Sequence, residues 1–398
     1  MNKHSLFGRR VVAATLAVVG ATALAQDIKL GFNGDLSASP SAQSGAAGVI
    51  GIQAAIEDIN AAGGVLGRKL TLVIRDDQSQ PPKSIQNMTE LIDSEKVAAV
   101  FGPTNSGNAM AWKHIPNQKK VVSMGMIGGA TDITKPMSPE ADNYMFRVSI
   151  VDREQVVGLM AYAKKAGARK LGLIAETTGY GQGGLKDMVE IAKLQGLEVA
   201  VAERMAVADT DVTSQLNKMK AAEVDTLVIW AQGTPTGQVM RSMEKVNYFP
   251  KVLSSWAADN ITFYDAAGKA LAEKPIFMRT MVDAVTPKQK ALFERIKGQL
   301  AAPSAFTFVV HGYDATQILA AALRQAGTAS DGVKIREALE SLAAPIDGVK
   351  KTYVKPFSKS HHEALTAADF AFVKWADGKL VQVNDAVTAA LSAADFKR

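Results

Sequence analysis

Short runs of Val, Ile, Leu and Ala recur along the chain, separated by longer stretches in which apolar residues return every three or four positions. This alternation predicts βα units on a parallel sheet. Strands are expected at Ile28–Asn33, Leu70–Asp76, Ala98–Gly102 and Val121–Gly125, with helices at Ala42–Ala62, Ser84–Glu95 and Asn108–Gln118 between them. The strands are continuously apolar rather than alternating, as expected for a sheet covered on both faces. Tyr144–Ile150 reads as a strand or crossover, after which the rhythm restarts. The second series places strands at Lys170–Glu176, Glu198–Arg204, Thr226–Trp230 and Lys251–Ser254, with helices at Gly184–Gln195, Val212–Ala222 and Thr236–Val246. Beyond Pro275–Met278, helices are predicted at Pro287–Leu300, Phe306–Ala326 and Val333–Leu342. The tail changes character: Asp369–Trp375 and Lys379–Val383 flank Asp377-Gly378, a tight hairpin turn. The expected fold class is therefore α/β, with two Rossmann-like lobes, each on a parallel sheet, joined by a multi-strand hinge. The first lobe would comprise 26–147 plus 278–349, and the second 148–277 plus 350–398.

The N-terminus reads as an export signal. Lys3, Arg9 and Arg10 precede an apolar run from Val11 to Ala25, and Ala23-Leu24-Ala25 offers the small residues a signal peptidase needs. The run is shorter than the roughly 20 residues of a membrane-spanning helix, so cleavage after Ala25 and a soluble periplasmic protein are expected. Those three basic residues account for half of the +6 net charge, leaving about +3 on the mature chain. With Lys and Arg scattered among acids, nothing resembles the basic stripe of a nucleic-acid binder. The chain has no cysteine, which excludes disulfides, thiolate metal sites and Cys nucleophiles and suits an oxidising compartment.

Several blocks resemble the opening of the leucine/isoleucine/valine-binding proteins of ABC transporters, the type I periplasmic binding fold. They are Lys29-Leu30-Gly31-Phe32, Gly34-Asp35-Leu36-Ser37 and above all Ile59-Asn60-Ala61-Ala62-Gly63-Gly64-Val65-Leu66-Gly67-Arg68. Phe101-Gly102-Pro103-Thr104-Asn105-Ser106, Phe146-Arg147 with Asp152, Tyr180-Gly181, Gly312-Tyr313-Asp314-Ala315 and His361-His362 extend the resemblance over nearly the whole mature chain. It implies the substrate-binding component of an ABC importer: a monomer that captures a branched-chain or other amino acid, or a related aromatic or aliphatic carboxylate or amide, and delivers it to an inner-membrane permease. A ligand sensor of the same fold, feeding a regulator or signalling kinase, is the alternative. Gly63, Gly64 and Gly67 have a reading of their own, as the positive-φ cap and turn between helix and strand.

Ligands of open α/β sheets sit beyond the carboxyl ends of the strands. Asn105 and Ser106 follow a strand and start a helix, where they serve either as caps or as ligand contacts beside free N–H groups. The resemblance puts its substrate-binding serine on Ser106, and its ligand-contacting backbone and threonine on Gly129 and Thr131. Gly179-Tyr180-Gly181-Gln182-Gly183-Gly184 formally satisfies the dinucleotide pattern, but a bulky Tyr occupies the tight turn; the resemblance instead makes Tyr180 the residue that covers the ligand from the second lobe. Trp230, Gln232 and Trp256 follow strands of the second series, and an aromatic wall there would clamp an apolar body, although Trp at a strand end commonly covers core. Ser37, Gln43 and Ser44 precede the first helix, as caps or as ligand contacts. Amino-acid binders hold the ammonium with an acid in the later loop. Around Trp256 no acid stands in register, and Asp259 lies three positions on. Either Asp259 reaches the amine or the ligand lacks one.

Arg147 and Asp152 read as a salt-bridged hinge, and His361 and His362 as surface residues of the tail. No nucleophile elbow, phosphate loop or HExxH is present, so neither an enzyme nor a cofactor or metal site is expected.

Overall fold

The computed structural model describes Met1 and residues 26–396; the expected export signal lies outside the described residues. The first sheet is formed by β1 (Ile28–Gly34), β2 (Leu70–Asp76), β3 (Ala99–Phe101), β4 (Val122–Gly125) and β5 (Met145–Arg147), all parallel in the order β2-β1-β3-β4-β5. Its connections are α1 (Ala42–Ala61), α2 (Pro81–Thr89), α3 (Ser106–Trp112) and α4 (His114–Lys119). After α5 (Asp152–Lys165) comes a second parallel sheet, β7-β6-β8-β9, made of β6 (Lys170–Glu176), β7 (Glu198–Met205), β8 (Thr226–Trp230) and β9 (Lys251–Ser254). It is connected by α6 (Gly179–Gln195), α7 (Thr213–Ala221) and α8 (Gly233–Lys245), and followed by α9 (Ile261–Ala267) and α10 (Lys269–Ala272). A bridge from Leu253 to Ile276 carries this sheet on to β10 (Phe277–Arg279).

The chain then returns to the first body with α11 (Pro287–Ile296), α12 (Phe306–Ala326) and α13 (Gly332–Glu340), followed by the small pair β11 (Ile346–Asp347) and β12 (Thr352–Tyr353). Residues 362–364 run along the free edge of β5, where Arg147 N donates to His362 O and Ala364 N to Arg147 O. Finally β13 (Ala371–Ala376) and β14 (Lys379–Gln382) pair antiparallel with β10, and their turn carries Asp377 and Gly378 at φ 48° and 74°. Both values are positive, as a two-residue hairpin turn demands.

Gly63, Gly64 and Gly67 have φ of 98°, 78° and 71°, and Asn60 clips the end of α1 to Leu70 through both its amide atoms. Several helices differ from the sequence pattern for identifiable reasons. α2 begins at Pro81, because the first helical N–H groups need no intrahelical partner and proline lacks only that. The single helix expected over 108–118 is broken between α3 and α4: Pro116 cannot donate to Trp112 O, and the chain re-caps at Lys113. α5 escapes the pattern because it is buried on nearly every side and shows no apolar stripe. His362 is buried, not on the surface; its ring lies 3.9 Å from Phe146 at an interplanar angle of 12°, and desolvation holds its pKa down at about 4.

α1 and α12 pack backbone to backbone. A Cβ at Gly51 would sit 2.0 Å from Val309 O, and one at Gly312 2.3 Å from Gly48 O. Neither carbonyl can move without shifting its helix. Gly51→Ala is expected to lower stability by about 1–3 kcal/mol, read as a shift of the urea midpoint at unchanged slope.

Candidate functional site

A cavity of about 310 Å³ lies where the carboxyl ends of β1, β3 and β4 face those of β6, β8 and β9. The first body supplies Ser41 and Ser44 from the start of α1, Ser79 before α2, Thr104–Asn108, Ile127–Gly129 after β4, and Phe308 of α12. The second supplies Thr178–Tyr180, Gln232 and Gly233, and Trp256, Ala257, Asp259 and Asn260. Both bodies contribute helix starts because every βα loop at this sheet end turns directly into a helix.

Asn105 occupies the N-cap position of α3, yet its side chain does not cap. It donates instead to Ser79 Oγ at 2.7 Å and Ser39 Oγ at 3.4 Å, stitching the β2–α2 loop to the cavity wall. Ser106 Oγ accepts from Ala130 N at 3.1 Å, which leaves its proton free to donate. Gly129 lines the wall because nothing larger fits: a Cβ there would lie 2.2 Å from the buried Asp152 Oδ1. Burial pushes the Asp152 carboxyl well up, against the opposing pull of Arg147.

From the second body, Tyr180 is the second residue of α6. Its ring lies 5.9 Å from that of Trp230, and burial pushes its hydroxyl far above the ordinary range. Gln232 is held on three sides: its N–H donates to Glu176 Oε2 (2.8 Å), its Nε2 to Glu176 Oε1 (3.2 Å), and its Oε1 accepts from Ser41 Oγ (2.7 Å) across the cleft. Glu176 is thereby raised by burial but satisfied, with Thr178 Oγ1 as a further donor. Trp256 is positioned by Gln155 Oε1, which accepts from its N–H at 2.9 Å, and its ring sits 5.2 Å from Phe308. Asp259 is almost fully buried, with Oδ2 3.4 Å from Arg279 Nε. Burial raises its pKa to about 7 against the lowering by Arg279.

The bodies also touch around the cavity. Gly107 and Gly179 meet so closely that a Cβ on Gly179 would lie 2.7 Å from Gly107 Cα. Asn260 Nδ2 donates to Pro40 O at 3.2 Å. Thr131 Oγ1 donates to Asp187 Oδ2 at 2.6 Å, with Arg153 bonded to the other oxygen at 3.2 Å.

Of the residues singled out in the sequence, Asn105, Ser106, Gly129, Tyr180, Gln232, Trp256 and Asp259 therefore line one cavity, and four lie elsewhere. Thr131 sits at the rim in the contact with Asp187. Trp230 is fully buried under Tyr180, and its ring takes the space a side chain at Gly184 would need. Ser37 Oγ donates to Asp76 Oδ2 at 2.6 Å. Gln43 faces a neighbouring depression with Thr262 and Leu300. Arg147 pairs not with Asp152 but with Glu363, at 2.6 Å. The glycine-rich stretch forms the first turns of α6, where a Cβ on Gly181 would strike Glu176 O and one on Gly184 the Trp230 ring; packing, not a phosphate, accounts for these two, while Gly183 has room for a side chain.

Ser44, read in the sequence as a cap or a ligand contact, also lines this cavity, whereas sequence reasoning missed Ser41, Ser79, Thr178, Asn260 and Phe308. Ser41 carried a signal, a hydroxyl three before Ser44 at a helix start after Pro40, whereas Phe308 sits inside a long helix far from any strand end. The carboxylates of Asp35, Asp76 and Asp77 lie within 4.8 Å of one another. Their oxygens are taken up by backbone N–H groups and hydroxyls of the surrounding loops.

A profile of the family described as "periplasmic binding protein" matches residues 27–379. The chain is 23% identical over 332 residues to a Leu/Ile/Val-binding protein of Rhizobium johnstonii, covering 83% of this chain and 87% of that one. Among solved structures, a branched-chain amino acid transporter substrate-binding protein of Streptococcus pneumoniae in complex with isoleucine superposes with a TM-score of 0.75 at 24% identity, over 89% of this chain and 97% of that one. A solute-binding protein of an ABC transporter from Rhodopseudomonas palustris, in complex with 4-hydroxybenzoate, gives 0.74 at 21% identity, over 90% and 96%.

Proposed function

The chain belongs to the periplasmic binding protein family, and from that premise we propose that it is the periplasmic solute-capturing component of an ABC importer, not an enzyme. Its ligand is a small amino acid or a related carboxylate or amide. The observation that carries this is the cavity walled by both bodies at their strand ends, with Ser106 on one side and Tyr180 on the other. Such a cavity exists only when the bodies meet, so a ligand that fills it favours the closed arrangement over an open one. The isoleucine and 4-hydroxybenzoate of the two structural relatives share a carboxylate beside an apolar body. Ser44 and Ser106 offer donors for such a head group, and Ile127, Trp256 and Phe308 an apolar lining. Export with cleavage after Ala25 and hinge motion where the chain crosses between the bodies complete the reading.

The test is a melting series on ligand-stripped protein with amino acids, amides, short dicarboxylates and aromatic acids. A ligand at about 100 times its dissociation constant adds roughly 2.7 kcal/mol of stability. Trp256→Ala removes the aromatic wall and is expected to weaken the best ligand by about 10- to 100-fold. A panel without any stabilising compound, or a Trp256→Ala variant that binds as tightly as the parent, would defeat the reading.

A further inference from the structure

The charges around the cavity are distributed unequally. Among the described residues Asp259 is the one acid in its wall, and a cation already faces it: Arg279 Nε stands 3.4 Å from its Oδ2, an ion pair without a hydrogen bond, and Arg279 is itself buried with Nη2 anchored on Ser304 O at 2.6 Å. A ligand ammonium would arrive as a second cation on a carboxylate that holds one, with Arg279 repelling it through a water-poor medium. The neighbouring acids offer nothing in exchange. Glu176 is engaged by Gln232 and Thr178, and Asp152 lies behind Gly129.

Donors, by contrast, are in surplus. Ser44 is 5% exposed, faces the cavity and, among the described residues, has no hydrogen-bond partner for its hydroxyl; Ser106 Oγ has an unused proton. α6 and α8, of 17 and 13 residues, both begin at the cavity with no side chain capping their first N–H groups. These groups suit an anion. Ile127, Trp256 and Phe308 complete the wall with apolar surface.

We propose that the solute is a monocarboxylate with an apolar body and no ammonium group. This rests on the receptor reading above and narrows its ligand. Asp259 and Arg279 then act as a neutral buried pair that refuses an amine rather than as its binding site, and the discrimination comes from leaving an ammonium without a counter-charge.

Matched pairs decide the matter on the ligand-stripped mature protein: leucine against 4-methylpentanoate, and phenylalanine against 3-phenylpropanoate, by calorimetric titration. The acid without the amine is expected to bind at least tenfold more tightly in one pair or both, with neither amino acid tighter than its partner. Equal affinities within both pairs, or a tighter amino acid in either, overturn the proposal. If none of the four binds, the proposal also fails, and native mass spectrometry of the protein as purified then separates the two claims. A different small molecule carried by the protein leaves the receptor reading standing, whereas no carried molecule, together with an inert melting panel, removes it as well.

Discussion

Gly179→Ala is expected to weaken ligand binding by about 10- to 100-fold, equivalent to roughly 1.4–2.8 kcal/mol, while leaving the ligand-free protein as stable as the parent or slightly more so. The two halves of this expectation have separate causes. Gly179 opens α6 with an ordinary negative φ, a position where alanine is tolerated and has the better helix propensity. In an open molecule the added methyl has no reason to do harm. Once the bodies meet, however, that methyl would stand 2.7 Å from Gly107 Cα, a backbone atom that cannot rotate away. The lobes must stop short, and every contact that spans them loosens, including Ser41 with Gln232 and Asn260 with Pro40. Gly107→Ala is the matched control. Its methyl would find Gly179 N at 3.5 Å, an ordinary contact, so affinity should stay within about threefold. Titration of both variants with the best ligand, beside their ligand-free melting curves, reads the comparison. Equal losses in the two variants would mean that the Gly107–Gly179 contact does not limit closure.

The reason such a contact is invisible in the sequence also explains what else was hidden there. Strand ends announce themselves, because a continuous apolar run must stop where the sheet meets solvent. Asn105, Ser106, Gly129, Gln232 and Trp256 could be placed beside a cleft on that ground alone. Direction is not announced. Trp230 and Trp256 both stand at or just beyond the end of a strand, but one turns into the core under Tyr180 and the other faces Phe308. Glycine misleads in the opposite sense: Gly179–Gly184 reads as a loop or a phosphate turn, and is the start of a helix in which Glu176 O and Trp230 leave no room for side chains at Gly181 and Gly184. The sequence marks the acid beyond Trp256 but not the cation that faces it: Arg279, 20 positions away, stands 3.4 Å from its carboxylate. Phe308 could not be found at all, since α12 brings it to the cavity from a segment whose own pattern says only that it is a buried helix.

Arg147→Met should be the most damaging substitution away from the cavity wall, costing about 3–5 kcal/mol and lowering the melting temperature by roughly 5–10 °C. Arg147 is fully buried, and its guanidinium satisfies partners from three segments. Nε and Nη2 hold both oxygens of Glu363 at 2.8 and 2.6 Å, Nη1 reaches Gly128 O and Ala130 O at 3.0 Å each, and Nη2 also reaches Thr134 Oγ1 at 3.1 Å. Methionine fills a similar volume, so the loss is electrostatic rather than a cavity. It leaves the Glu363 carboxylate, only 14% exposed, without its counter-charge and with Thr134 Oγ1 as its remaining donor, strips Gly128 O of its donor and leaves Ala130 O with Ile133 N alone. Arg147→Lys should recover little, because one ammonium cannot span a carboxylate and two carbonyls in the fixed fork that arginine provides. Glu363→Gln separates the two kinds of loss: it removes the charge pair but leaves Gly128 and Ala130 held, so it should destabilise less and keep ligand affinity closer to that of the parent. The carbonyls held by Arg147 belong to the loop that carries Gly129 into the cavity and presents Ala130 N to Ser106 Oγ. Arg147→Met should therefore weaken the ligand as well, even at temperatures where the protein is fully folded. If its affinity matches that of Glu363→Gln, the arginine serves stability alone and the loop holds its shape without it.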